Sequence, residues 1–254
     1  MTFEQRLARR ISETGSGLCV GIDPREELIE GDLEDFLKRF IEETEPHAAA
    51  FKPNMAYFEV LGSRGIAILE RLLAELAGRV PVILDCKRSD IGETQARYAR
   101  AYFEHWGVDA VTLNPFLGFD SIECFLEYEG KGVYLLGVTS NPGSVDFQMQ
   151  KTADGRYVFE LVGDLIERGA QLPGTAGLVV GLTNASADVL ERITDVPLLL
   201  PGLGAQGGDL AALSEQGRRA PLLVNVSRGL MFGQGEESFS ARAKQYADRI
   251  AKFI

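Results

Sequence analysis

Eight short apolar runs recur along the chain, and the stretches between them are long enough for helices. The runs are LCVGID (18–23), AAAFKPN (48–54), VPVILDCK (80–87), AVTLNPF (110–116), GVYLLGVTS (132–140), GLVVGLT (177–183), VPLLLPGL (196–203) and PLLVNVS (221–227). They are nearly continuous in hydrophobicity and do not alternate with polar residues, as expected of parallel strands covered on both faces. Alternation of strand and helix requires a parallel sheet. Eight repeats favour a closed α/β barrel over an open sheet. The expected architecture is a single (β/α)8 TIM barrel over residues 1–254, a length close to the roughly 250 residues such a barrel usually takes. Length alone would also suit two smaller domains.

Between the runs, 58–78 places Leu69, Leu72, Leu73 and Leu76 at three- and four-residue spacings, which make one buried helical stripe. Segments 93–107 and 237–253 read the same way. Gly78 and Gly107 stand where a helix end would need a left-handed residue. The longest connection without helical periodicity is NPGSVDFQMQKTADGRY (141–157), after the fifth run. Connections of this length are usually functional or disordered, and here the loop falls on the rim where barrel active sites form, so a lid is expected.

Charge and composition exclude several classes of function. The net charge is −11, which leaves no basic stripe for nucleic acid. An anionic substrate must therefore be held by a local set of donors, against the overall field. Three cysteines without C-x-x-C spacing argue against a disulfide framework or a zinc knot, and two histidines exclude a three-histidine metal site. The N-terminus opens amphipathically and no run reaches the length of a membrane span, so a cytoplasmic location is expected.

On a barrel, chemistry comes from the C-terminal ends of the strands. The third run carries the most information. In VILDCKRSDIGET (82–94), Asp85 and Lys87 are two residues apart, so a regular strand points both to one side and Cys86 to the other. Lys52, on the neighbouring strand, can join them. Opposite charges about 4 Å apart attract by roughly 4 kcal/mol at an effective dielectric of 20. An alternating array of Lys52, Asp85, Lys87 and Asp90 would hold each group charged and supply an ammonium proton donor without a metal. The plainer reading is a set of solvated or structural ion pairs. Asp90 has its own alternative, a capping box with Glu93 at the start of the next helix.

The last quarter of the chain carries a phosphate signal. PGLGAQGG (201–208), with Pro201 and Gln206, is glycine-rich and lets backbone N–H groups approach an anion. Ser227 and Arg228 end the eighth run, and Arg228 offers a planar fork of donors. Loops after strands seven and eight are the usual phosphate site of this fold. The cysteines read as small buried groups, and His47 and His105 have no evident catalytic partner.

Taken together, LDCKRSDIGET, GIDP (21–24), FKPN (51–54), TSNPG (139–143), PGLGAQGG and NVSRG (225–229) resemble the motifs of the orotidine 5′-monophosphate decarboxylases, in the same order over nearly the whole chain. The larger bacterial-type subgroup is the most similar. The resemblance implies a cofactor-free lyase of pyrimidine biosynthesis that converts orotidine 5′-monophosphate to uridine 5′-monophosphate. It implies that Lys87 protonates C6 of the pyrimidine, that Asp85 lies near the substrate carboxylate, and that Lys52 holds Asp85 and the ribose. Asp90, with Ile91 and Thr94, would enter the site of a partner subunit in a homodimer. Asp23 would bind ribose hydroxyls, and Ser140 would read the pyrimidine amide edge. Gln206 and Arg228 would hold the phosphate. Two other readings remain open at this stage: a magnesium-dependent sugar-phosphate enzyme of related barrel type, and a non-catalytic barrel that senses a nucleotide monophosphate.

Overall fold

The computed structural model describes residues 1–181, 187–201, 217–233, 235 and 237–253. Its eight strands are β1 (Leu18–Ile22), β2 (Ala50–Pro53), β3 (Ile83–Arg88), β4 (Ala110–Leu113), β5 (Gly132–Val138), β6 (Thr175–Val180), β7 (Leu198–Pro201) and β8 (Leu222–Val226). All pair in parallel, in the order β2-β1-β8-β7-β6-β5-β4-β3. The seam between β2 and β3 is closed by bridges Phe51–Val82 and Asn54–Asp85 and by a 2.9 Å bond from Phe51 N to the Pro81 carbonyl. The result is the expected TIM barrel.

Each apolar run serves two cores because strand side chains alternate. Cys19, Ala50, Ile83, Ala110, Tyr134, Val179, Leu199 and Leu223 fill the barrel interior. Leu18, Val20, Phe51, Leu84, Val111, Val133, Leu178, Leu198 and Val224 pack against the surrounding helices. The N-terminal helix, Phe3–Thr14, is started by a capping box between Thr2 and Gln5. Its Phe3 and Leu7 join the interior cluster, with Phe3 edge-on to Tyr134 at 6.1 Å. Chemistry is thereby confined to the opposite end, where the strands turn polar.

Three details depart from the sequence expectations. The helix expected over 58–78 is two helices, Met55–Glu59 and Gly62–Leu76, broken where Gly62 adopts φ 62°. Asn54 caps the first of them by accepting from Ala56 N at 3.3 Å. The segment 93–107 begins as an α-helix (Gly92–Arg100) and finishes in a π turn (Ala101–His105). The 141–157 connection holds local structure: a 3-10 turn at Pro142–Asp146 and a bridge between Lys151 and Tyr157. Gly78 and Gly107 are left-handed, as expected, at φ 74° and 66°. Among the described residues, no helix is long and apolar enough to cross a membrane.

Candidate active site

The polar ends of β2 to β5 and of β7, with Val179 of β6, border a cavity of about 410 Å³ at the C-terminal mouth of the barrel. Lys52, Asp85, Lys87 and Thr112 form one side. Thr139, Ser140 and Gln148 form the other, with Pro201 at the end of β7. The long connection supplies part of this wall, because Gln148 Oε1 accepts from the Thr139 amide at 2.7 Å and so holds the loop to the rim.

Asp85 is the hub. Its Oδ2 accepts from Lys52 Nζ at 2.6 Å and its Oδ1 from Lys87 Nζ at 2.6 Å. The Thr112 hydroxyl also donates to Oδ1, at 3.0 Å. The side chains of Lys52 and Asp85 are 5% and 9% exposed, whereas that of Lys87 is 50% exposed, so one ammonium is dry and the other reaches the cavity. Burial works against ionisation of Asp85, but the ammoniums of Lys52 and Lys87 hold its carboxyl well below the usual carboxylate range. Burial likewise opposes the charge on Lys52. Asp85 and Asp23 overcome that penalty and leave the ammonium above its ordinary value. Both groups are thus fixed in their charged forms.

Regular strand alternation does not explain how Asp85 and Lys87 meet. The register of β3 against β4 shifts between Leu84 and Arg88, and Lys87 has φ 44°. A bulge has turned the backbone there. A side chain with a Cβ resists this conformation, at a cost of about 1–3 kcal/mol. Thr112 offsets part of it: its Oγ1 accepts from Lys87 N at 2.8 Å while its hydroxyl donates to Asp85. Cys86 points away from the mouth, as expected, and packs with the outer core. Thr112 was not singled out in the sequence. The available signal was its position in AVTLNPF, two residues after the interior Ala110 and so on the same face.

The four-membered charge array is not found within one chain. Asp90 makes no hydrogen bond to Lys52, Asp85 or Lys87; its Oδ1 accepts from the Ile91 amide at 2.8 Å. The capping-box alternative is also overturned. Ile91 is the N-cap of the Gly92–Arg100 helix, with no side-chain cap bond, and Glu93 instead pairs with Arg97. Ile91 is 60% exposed and Thr94 is exposed.

Asp23 follows β1 and Ser227 follows β8, two strands that pair in parallel. Asp23 Oδ1 and Ser227 Oγ are both buried and have no hydrogen-bond partner among the described residues. Arg228 is exposed and opens the short helix Arg228–Met231 directly after β8. Gln206 and most of the glycine-rich turn lie outside the described residues. Among the described residues, no three His, Cys, Asp or Glu side chains converge as a metal cage.

Comparison with known proteins places the chain among relatives of nearly full length. Residues 16–238 match the model of the orotidine 5′-phosphate decarboxylase / HUMPS family. An orotidine 5′-phosphate decarboxylase of Variovorax paradoxus is 42% identical, over 97% of this chain and 96% of its own length. One from Porphyromonas gingivalis is 44% identical, over 94% of this chain and 91% of its own. Among solved structures, an OMP decarboxylase of Leishmania donovani superposes with a TM-score of 0.86 at 36% identity, covering 100% of this chain and 98% of that one.

Proposed function

The chain belongs to the orotidine 5′-phosphate decarboxylase / HUMPS family, and from that premise we propose how it acts: as a single barrel domain that decarboxylates orotidine 5′-monophosphate to uridine 5′-monophosphate without a cofactor, with Lys87 as the proton donor. The decarboxylase activity, a lyase step of pyrimidine biosynthesis, follows from the family and from relatives of nearly full length. The observation that carries the mechanism is the hydrogen-bonded chain from Lys52 through Asp85 to Lys87.

Breaking the C6–carboxylate bond releases CO2 and leaves its electron pair on C6. That carbon must then take a proton. Lys87 Nζ supplies it, a C6–H bond forms, and the lysine is left as a neutral amine. Its half-exposed side chain allows recharging from solvent once product leaves. An ammonium already in place stabilises the developing carbanion without reorganisation at the moment of reaction. Lys52 and Thr112 hold Asp85, and Asp85 aims Lys87. Asp85 also stands as a permanent anion near the substrate carboxylate, whose repulsion is relieved as CO2 departs.

The remaining assignments follow the same reading. Ser140 reads the pyrimidine edge, beside Pro201. Asp23 binds ribose hydroxyls, and Ser227, Gln206 and Arg228 take the phosphate. Asp90, Ile91 and Thr94 serve a partner subunit's site in a homodimer. The separation of Asp90 from its own chain's charged cluster and the exposure of Ile91 support that sharing. Closure of the 141–157 connection would use phosphate binding energy far from C6 to order the mouth.

The test is ultraviolet absorbance of orotidine 5′-monophosphate with purified protein in excess chelator. Rapid conversion is the expected result. Turnover that stops with chelator and returns with magnesium would overturn the cofactor-free mechanism.

A further inference from the structure

The interior faces of β1 and β8 carry a polar patch larger than the sequence motifs suggest. Asn225 pairs in register with Cys19 on one side and Pro201 on the other, and follows Leu223 by two residues, so its side chain points into the barrel. It lies at the level where the interior changes from apolar to charged. The adjacent strand leaves room for it: a methyl group at Gly21 would lie 3.1 Å from Asn225 Oδ1, 3.3 Å from Nδ2 and 2.7 Å from Ser227 Cβ. The carboxamide therefore occupies the space that any larger residue at Gly21 would take. Gly21 is in register with Lys52, so this patch adjoins the charged cluster.

Asn225 Oδ1 is buried and has no hydrogen-bond partner among the described residues, and Asp23 Oδ1 and Ser227 Oγ share that condition. Buried polar atoms are paired in the great majority of native sites. Two of the three, Asn225 Oδ1 and, while Asp23 is ionised, Asp23 Oδ1, can only accept and so need a donor; the Ser227 hydroxyl can still donate. The surroundings of Asn225 are a serine hydroxyl, the aspartate that follows β1 and, through Gly21, the level of Lys52 in the charged cluster. A sugar hydroxyl, a neutral donor, matches that chemistry. A phosphate, which offers only acceptors, does not match Asn225 Oδ1 or Asp23.

We infer that Asn225 is a further substrate-positioning residue, whose carboxamide oxygen accepts one ribose hydroxyl of the nucleotide while Asp23 accepts the other. The inference rests on the decarboxylase reading for the identity of the nucleotide. It assigns Asn225 a role in telling ribonucleotide from deoxyribonucleotide.

The test is calorimetric titration with uridine 5′-monophosphate and its 2′-deoxy and 3′-deoxy analogues, on wild type and Asn225→Leu, alongside thermal melts. Leucine keeps the branched skeleton of asparagine, with bulkier methyl groups, and removes an unpartnered buried acceptor, so the melting temperature is expected to change little. Affinity for uridine 5′-monophosphate is expected to fall about tenfold, while affinity for one of the two analogues barely changes. Equal losses on all three nucleotides with a lowered melting temperature would show a structural role and overturn the inference, as would unchanged discrimination in a folded variant. Should the leucine variant fail to fold, Asn225→Ala removes the same acceptor with less volume, and the same ratio is read. Binding is scored apart from turnover. Loss of discrimination in a protein that does not decarboxylate orotidine 5′-monophosphate would leave the inference standing and sink the reaction.

Discussion

Lys87 Nζ donates to Asp85 Oδ1 at 2.6 Å from a backbone held at φ 44°, the one left-handed residue other than glycine among the described residues. The ammonium is not at the end of a free side chain. It is aimed by its carboxylate partner, by a bulge in β3, and by a hydroxyl from β4 that contacts both residues.

Thr112→Val keeps the shape of that hydroxyl-bearing side chain and removes both of its hydrogen bonds. The Lys87 backbone and the Asp85 carboxylate lose a shared anchor, while the outer parts of the cavity are untouched. Turnover is expected to drop between about 10- and 100-fold, with KM changed far less. Steady-state kinetics on the purified variant check this, and a change confined to KM would contradict it.

Much of this arrangement is legible in the sequence, and the parts that are not have physical causes. The eight strands are legible because parallel strands are buried on both sides and read as unbroken apolar runs. Asp85 and Lys87 stand out as charges ending such a run. Their meeting was expected from regular alternation, but a bulge produces it, and a left-handed lysine leaves no compositional trace. Thr112 and Asn225 are single polar letters inside apolar runs, visible only once the inward face is known. The break at Gly62 was hidden because the leucine stripe continues beyond it, and one glycine in a helical pattern does not force a break.

Stability should carry the signature of the buried pair. Asp85→Asn leaves the Lys52 ammonium dry and short of its main counter-charge, a change expected to cost about 3 kcal/mol. The Asp85 carboxyl is held below its ordinary value of 3.8, so its contribution is fully present above that pH. It is lost as pH falls below that value toward the depressed folded value. The gap in melting temperature between wild type and Asp85→Asn should therefore be wide at pH 6 and shrink as the pH is lowered from 5 to 2. A gap that stays constant over that range would contradict a depressed carboxyl.

Sharing of Asp90 across a dimer is tested by complementation. Neither Lys87→Ala nor Asp90→Asn homodimers should turn over at more than a trace rate. A mixed dimer has one site with both residues intact and should recover up to half of the wild-type activity per dimer. Absence of recovery in a verified mixed dimer would count against sharing.

Arg228 separates phosphate binding from chemistry. Arg228→Ala should raise KM for orotidine 5′-monophosphate about 100-fold, as expected for loss of a charge-assisted contact. The unphosphorylated nucleoside should be affected little. Equal effects on both substrates would remove Arg228 from that role.

The central claim is that the Lys87 ammonium delivers the proton to C6. The most direct test is Lys87→Ala, with turnover of orotidine 5′-monophosphate and binding of uridine 5′-monophosphate measured on the same preparation. Turnover is expected to vanish while the product still binds, because the Lys52–Asp85 contact and the rest of the cavity remain. Turnover near the wild-type rate would contradict the account.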